Sequence, residues 1–187
     1  MRKESKAIVI DASVARAVGV KEHPTSSKSR HFLEEFLKTT HFFVMTPEIK
    51  REWDKHQSII ALTFRRRMIA TKRMKAFSEE VVIKDDLRTT IDALKGSERK
   101  RKAIEKDALL IEAALVSDNT IVSCDDKVRA YLCSSSALIG YIRDTVWVNP
   151  INENEEPINW LRNGAPNEHE KTLGFIYREV ALNEKID

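Results

Sequence analysis

The sequence predicts an α/β fold in which a mainly parallel central sheet lies between two layers of helices. Short apolar runs of strand length, such as "AIVI" and "TIVSC", alternate along the chain with segments of helical spacing. Strands that alternate with helices imply right-handed crossovers, so the strands run parallel and helices cover both faces of the sheet. A chain of 187 residues, 42% of them hydrophobic, is long enough for one well-packed domain with an elaboration.

The first half of the chain predicts two strands, each followed by a helix, and then a long basic helix. These segments are a strand at 7–10, a helix at 29–40, a strand at 41–47, a helix at 48–57 and a basic helix at 58–80. Thr46 and Pro47 form the start signal of the second helix, because proline is favoured in a first helical turn.

The second half continues this alternation less regularly. Residues 81–84 could form a short strand. The segments after it are a helix at 87–95, a charged turn at 96–102, a helix at 102–115, a strand at 119–124, a helix at 126–135 and a strand at 144–150. After Pro150, a polar linker leads to a short helix at 158–164 and a terminal helix. We interpret 151–187 as a C-terminal helical extension, an interface or lid, and not as a second domain.

Composition argues against several classes of protein. No apolar run approaches the roughly 18 residues of a membrane span, and the first ten residues lack a signal-type hydrophobic region. Cys124 and Cys133 have neither CxxC spacing nor a neighbouring His pair, which argues against a disulfide framework and a zinc site. We therefore expect a cytoplasmic protein without membrane association.

One acidic residue lies within the apolar stripe of its predicted helix. At about 100° per residue, Asp107 falls on the same face as Ile104, Leu110 and Ile111. A carboxylate buried without a partner is so costly that it would be protonated instead. Asp107 therefore needs a partner, which is either a basic side chain reaching into the core or a metal ion.

Three other acids are placed where they can join Asp107. Asp11 and Asp125 directly follow predicted strands, and Glu52 lies near the start of the helix after the second strand. Ligands of open parallel sheets bind beyond the carboxyl ends of the strands. Four converging carboxylates would raise one another's pKa values unless a cation intervened, and oxygen ligands alone favour Mg²⁺ or Mn²⁺. The sequence thus predicts a metal site suited to phosphodiester hydrolysis.

Each acid also has a simpler interpretation. Asp11, Asp125 and the neighbouring Asp126 are good N-cap residues for the helices that follow them. Glu52 could be a solvated helix residue. Glu48 and His56, four residues before and after it, could form a Glu-Glu-His stripe with it or belong to ordinary surface pairs. The prediction of a site depends on all four acids together.

The same residues resemble the PIN-domain family of metal-dependent nucleases. The resemblance rests on "AIVIDASV", "TPEIKREW", "EKDALLIEAAL" and "TIVSCDDKVRAYL", which follow one another in this order over roughly residues 5–150. It implies that Asp11, Glu52, Asp107 and Asp125 are the catalytic acids and metal ligands, and that Ser123 is a supporting hydroxyl. Asp126 is a further supporting residue in this comparison.

The resemblance implies an endoribonuclease that depends on Mg²⁺ or Mn²⁺. Residues 1–150 would form the PIN-like nuclease domain, and residues 151–187 the extension. Some members of the family are toxins of the VapC type, so we expect RNA as a partner and a small antitoxin protein as a further one. The basic insertion at 58–80 and the extension depart from the compact toxins. We also expect the chain to form a homo-oligomer.

Basic residues could supply RNA contacts around the acids. Residues 1–150 contain 28 Lys and Arg against 21 Asp and Glu, whereas residues 151–187 contain 4 against 8. We predict a phosphate-binding rim formed by Arg65, Arg66, Arg67, Arg99, Lys100 and Arg101. A solvated helix face is the alternative for these residues. No aromatic RNA-binding motif is present, and we assign Trp53, Trp147 and Trp160 to the core or an interface.

Two other functions compete with the nuclease. A non-catalytic PIN-like module would bind RNA or a protein through the basic helices and the tail. A phosphatase or phosphotransfer domain would use Asp11 as its nucleophile, but the second acid of a DxD motif is missing because Ser13 occupies that position.

Overall fold

A computed structural model of the chain contains a five-stranded, all-parallel sheet flanked by helices, which confirms the predicted three-layer α/β/α class. The structure describes residues 4–19, 23–56, 58–78, 84–94 and 98–183. Its strands are β1 (Ala7–Ile10), β2 (Phe42–Met45), β3 (Met74–Ala76), β4 (Thr120–Val122) and β5 (Val146–Val148). Within the described residues, no helix is long and apolar enough to cross a bilayer.

Ten α-helices occur in the described parts of the chain. They are α1 (Ala12–Ala17), α2 (Pro24–Lys38), α3 (Pro47–His56), α4 (Ile59–Ala70), α5 (Asp85–Asp92), α6 (Glu98–Leu115), α7 (Asp126–Cys133), α8 (Ser136–Ile142), α9 (Pro157–Arg162) and α10 (Leu173–Asn183). Short 3-10 helices occur at Glu153–Glu155 and His169–Lys171.

The strand order β3-β2-β1-β4-β5 places β1 at the centre of the sheet. Ala7 pairs with Phe42 on one side of β1, and Val9 pairs with Ile121 on the other. All four residues of β1 are buried, as expected for a strand covered by helices on both faces. The chain leaves β1 towards β2 and returns on the other side to β4, so the carboxyl ends of β1 and β4 border a crevice suited to ligand binding.

The prediction of one long helix at 58–80 is wrong for the last part of this segment. Helix α4 stops at Ala70, and residues 74–76 form the edge strand β3, in which Met74 pairs with Phe43. Lys72 adopts a positive φ of 55°, which ends the helix and reverses the chain. The guanidinium of Arg73 then donates to the carbonyls of Leu37 (2.9 Å) and Thr39 (2.5 Å), which holds the returning chain beside β2.

Other boundaries differ from the predictions. Helix α6 begins at Glu98, so most of the predicted charged turn is helical, and α8 was not predicted. Helix α2 begins at Pro24, five residues before the predicted start. Most of the predicted strand at 81–84 lies outside the described residues.

The segment after residue 150 packs against the rest of the chain. Helix α9 lies on α2, where Arg162 pairs with the buried carboxylate of Glu35 at 2.7 Å. The ring of His41 accepts a hydrogen bond from the Lys6 amide at Nδ1 and donates to the carbonyl of Leu161 from Nε2. Burial lowers the pKa of His41 and so favours this neutral ring. Trp160 is buried, like Trp53 and Trp147, which confirms their assignment to the core.

Candidate metal centre

The four predicted acids line one cavity beyond the carboxyl ends of β1 and β4. This cavity, called the acidic pocket below, has a volume of about 60 Å³ and is lined by Asp11, Glu52, Asp107 and Asp125 among other residues. Each acid comes from a different element: the end of β1, α3, α6 and the N-cap of α7. The pocket has room for a small ion with some water but not for a nucleotide, whose bulk must remain outside.

Asp11 is held by a buried serine. It occupies the N-cap position of α1, yet its carboxylate makes no capping hydrogen bond. Instead, the hydroxyl of Ser123 donates to Oδ2 of Asp11 at 2.7 Å, and the amide of Asp125 donates to the same hydroxyl at 3.0 Å. Ser123 therefore connects two of the four acids and fixes the orientation of the Asp11 carboxylate.

Asp125 caps α7 and lines the acidic pocket at the same time. Its Oδ1 accepts hydrogen bonds from the amides of Lys127 (3.1 Å) and Val128 (3.0 Å). Its Oδ2 accepts no hydrogen bond from the described residues. The capping interpretation is therefore correct for the Asp125 side chain but wrong for that of Asp11, and capping leaves one oxygen of Asp125 available to a ligand.

Asp107 has no hydrogen bond or ion pair with the described residues. Burial raises the pKa of its carboxyl to about 7, and repulsion by Asp11, Asp125 and Glu52 adds to this increase, while nearby Lys106 opposes it. Asp107 is therefore the carboxylate whose ionisation is least compensated by the chain itself.

Glu112, on the same helix, is a buried acid whose negative charge is balanced by a basic partner. It is fully buried, and its two carboxylate oxygens accept hydrogen bonds from the Arg88 guanidinium at 2.7 and 2.8 Å. The amide of Lys84 donates to it as well, at 2.9 Å. Glu112 thus has the basic partner that a buried carboxylate requires, whereas Asp107 has no such partner among the described residues.

Glu52 lies on the face of α3 that also carries Glu48 and His56, so the predicted stripe lines the acidic pocket. Lys55 donates to Oε1 of Glu52 at 2.7 Å and lowers the pKa of this carboxyl, and Nε2 of His56 lies 4.0 Å from Oε2. Glu52 is therefore ionised and partly neutralised, and it can contribute a negative charge or accept a proton at the rim of the pocket.

The side chains of the pocket could bind a hydrated ion such as Mg²⁺ or Mn²⁺, but they would not enclose it with protein ligands. Within the described part of the chain, no three His, Cys, Asp or Glu side chains are grouped closely enough to hold a metal ion. Mg²⁺ commonly binds one or two carboxylates and keeps several waters. The available donors are carboxylate oxygens, and the pKa of Asp107 is raised mainly by burial and further by the neighbouring carboxylates. One or two of the carboxylates of Asp11, Asp107 and Asp125 would bind such an ion directly, and the others would contact it through water.

Asp126 is directed away from the acidic pocket. Its Oδ2 accepts from the side-chain amide of Asn149 at 2.7 Å, and its Oδ1 pairs with Arg129 at 2.6 Å. Arg129 also pairs with Glu155, so this carboxylate joins α7 to the segment after β5. In this structure, Asp126 supports the edge of the sheet and does not line the pocket.

None of the six predicted RNA-binding residues lines the acidic pocket. Arg65 pairs with Asp54, Arg101 pairs with Glu105, and Lys100 donates to Ser134. The others, Arg66, Arg67 and Arg99, are exposed on α4 and α6. The predicted rim is therefore not a rim of this pocket.

Two basic side chains that the sequence did not single out, Arg16 and Lys106, line the pocket instead. Arg16 lies three residues after Ser13, on the same face of α1, and Lys106 directly precedes Asp107. Their short distance in sequence from Asp11 and Asp107 was the signal that could have identified these two residues.

Trp53 holds α3 against the end of β1, and replacing it with Phe is expected to lower the free energy of unfolding by about 2 kcal/mol. Its indole N–H donates to the carbonyl of Ile10 at 2.9 Å, one residue before Asp11, and its ring stacks on Phe64. Phe would leave this buried carbonyl unpaired. Thermal unfolding should show a melting temperature lower by roughly 4–8 °C.

Trp147→Phe is the matched control, because Trp147 is equally buried but its indole nitrogen has no hydrogen-bond partner among the described residues. Its substitution removes similar volume without breaking a hydrogen bond, so the loss should be clearly smaller. Equal losses in the two variants would show that the bond to Ile10 contributes nothing.

Comparison of the chain with protein-family models, with curated proteins and with solved structures gives no match.

Proposed function

We propose that this chain is a Mg²⁺- or Mn²⁺-dependent endoribonuclease of the PIN type. The observation that carries the proposal is that Asp11, Glu52, Asp107 and Asp125, from four separate elements, line one small pocket where the strand order reverses. In addition, Asp107 is partly buried without a basic partner among the described residues, as expected of a carboxylate that binds a cation.

A bound Mg²⁺ or Mn²⁺ would activate water and neutralise charge that develops on the phosphate during hydrolysis. The chain itself would orient this chemistry. Ser123 fixes the Asp11 carboxylate, and the amides at the start of α7 fix that of Asp125. Arg16 and Lys106, on the walls of the pocket, are placed to bind the non-bridging oxygens of the substrate phosphate.

The PIN type is supported by the order of the four acidic segments along the chain and by the parallel sheet that joins them. A toxin paired with a small antitoxin is the finer form of the same proposal. Copurification with a small acidic or disordered protein, and loss of cleavage in that complex, would support it. Unchanged cleavage in the presence of every bound partner would contradict the toxin role alone.

A non-catalytic RNA- or protein-binding module is the second candidate. It is favoured by one observation, the lack of a group of three close metal-ligating side chains within the described residues. The two candidates differ in their response to divalent cations, because a binding module needs none.

The deciding experiment incubates the chain with an end-labelled single-stranded RNA of mixed sequence in Mn²⁺, in Mg²⁺ and in EDTA. We expect cleavage with either cation and none in EDTA, together with saturable Mn²⁺ binding in a calorimetric titration. RNA binding without cleavage or Mn²⁺ binding would favour the module. Cleavage that persists in EDTA would overturn the metal-dependent mechanism.

A further inference from the structure

A second, larger cavity adjoins the acidic pocket beside α1. This second cavity, called the flanking cavity below, has a volume of about 480 Å³ and shares Ser13, Arg16 and Asp125 with the acidic pocket. Thr25, Lys127 and Ile151 are among the residues that complete its walls. Because three residues line both cavities, the two are direct neighbours at this edge of the sheet.

Two cationic side chains line the flanking cavity together with the carboxylates of Asp125 and Asp126, which already accept hydrogen bonds or ion pairs from the chain. Arg16 stands at the junction with the acidic pocket, and Lys127 lies at the start of α7. Both residues are exposed, and neither side chain pairs with a carboxylate among the described residues. By contrast, Arg129, which belongs to the same helix as Lys127, is occupied by Asp126 and Glu155. The two cations of the flanking cavity are therefore free to bind an anion.

The N-terminus of α7 does not itself provide this anion site. Two amides of its first turn, those of Lys127 and Val128, already donate to the carboxylate of Asp125. The side chains of Arg16 and Lys127 would therefore supply most of the binding energy for an anion in the flanking cavity.

A further cation lines the acidic pocket from another helix. Lys106 is exposed on α6, lines the pocket beside Asp107 and has no ion pair with the described residues. The four acids therefore share their pocket with two cations from different helices, Arg16 on α1 and Lys106 on α6, while Lys127 lies in the adjoining flanking cavity. A chain of regularly spaced phosphates, crossing a metal-bearing centre, matches this combination of acids and cations.

We infer that the backbone of the RNA runs from Lys106 across the acidic pocket and past Arg16 into the flanking cavity, where Lys127 binds a phosphate next to the cleaved one. This inference rests on the proposed ribonuclease function and deepens it. Neither cavity is lined by Phe, Tyr or Trp among the described residues, so contacts go to the backbone and tolerate many base sequences.

The test compares Arg16→Gln and Lys127→Gln with Arg66→Gln and Arg67→Gln. All four variants lose one exposed positive charge, but Arg66 and Arg67 line neither cavity. Dissociation constants for a fluorescent single-stranded RNA of mixed sequence are measured in EDTA over about 50–200 mM salt. Cleavage of the same RNA in Mn²⁺ gives kcat and KM for each variant.

We expect Arg16→Gln and Lys127→Gln to weaken binding and to make the salt dependence of log Kd shallower by about 0.7 each. Lys127→Gln should raise KM more than it changes kcat, because Lys127 lies outside the acidic pocket. The two α4 variants should behave like the unaltered chain.

Equal effects of all four variants, or larger effects at Arg66 and Arg67, would overturn the inferred path. If Lys127→Gln and Arg16→Gln keep the unaltered KM while the chain still cleaves RNA in Mn²⁺, the path is wrong and the ribonuclease function stands. If the unaltered chain neither binds nor cleaves RNA under any of these conditions, the proposed function fails and the path fails with it.

Discussion

Replacement of Asp11 by Asn is expected to reduce Mn²⁺-dependent RNA cleavage by at least about 100-fold. The amide of Asn has nearly the same size, and its oxygen can still accept the hydrogen bond from Ser123, so the fold should survive. The negative charge that attracts a divalent cation is lost, however. Initial cleavage rates, far-UV circular dichroism and a calorimetric Mn²⁺ titration would measure activity, fold and ion affinity separately.

Asp144→Asn is the matched control for this experiment. Its carboxylate is 87% exposed, precedes β5 and lies 3.9 Å from the nearest guanidinium nitrogen, that of Arg143. The control should cleave RNA at the unaltered rate. Cleavage by Asp11→Asn at the unaltered rate and the unaltered Mn²⁺ affinity would remove Asp11 from the metal centre.

The strands that the sequence predicted are those whose burial leaves a continuous apolar run. β1, β2 and β4 lie in the middle of the sheet and β5 at its edge, and the residues of all four are nearly all buried, so an apolar run of strand length is sufficient to find them. Edge strand β3 is only three residues long and mostly exposed, and its Lys75 resembles the basic helix before it. Its position depends on the contacts of Arg73 with the end of α2, which are distant in sequence.

The acids were predictable because each is tied to a local signal, a strand end or a helix face. The partners of the basic residues could not be predicted in this way. Arg65 is occupied by Asp54, eleven positions away and on another helix, so its run with Arg66 and Arg67 does not form a rim at the pocket. Arg16 reaches the acids only because α1 turns directly after Asp11 and brings the face of Ser13 and Arg16 over the crevice. Which basic residues reach the acidic pocket is therefore decided by the tertiary structure and not by the local sequence.

Asp107 is expected to make the metal-free protein less stable as the pH rises. The pKa of its carboxyl is about 7 in the folded chain, against an ordinary value of 3.8. The folded chain therefore binds a proton more tightly than the unfolded chain between these two pH values. The stabilisation is complete below about pH 4 and is lost progressively up to about pH 7, with a total change of up to about 4 kcal/mol.

Asp107→Asn should abolish this contribution, because the amide cannot ionise. In EDTA at about pH 8, the variant is expected to melt at a higher temperature than the unaltered chain, and the difference should vanish near pH 4. Glu105→Gln, two residues earlier on α6 and exposed, is the matched control and should leave the pH profile of the melting temperature unchanged.

Mn²⁺ should reverse the order of the two proteins. At about pH 8, the unaltered chain gains stability by binding the ion, whereas Asp107→Asn has lost part of the site and gains less. A melting temperature of the unaltered chain that depends on pH in the same way as that of Asp107→Asn would mean that Asp107 is compensated within the fold. The carboxylate would then need no cation, and the main physical reason for placing a metal ion between these four acids would be gone.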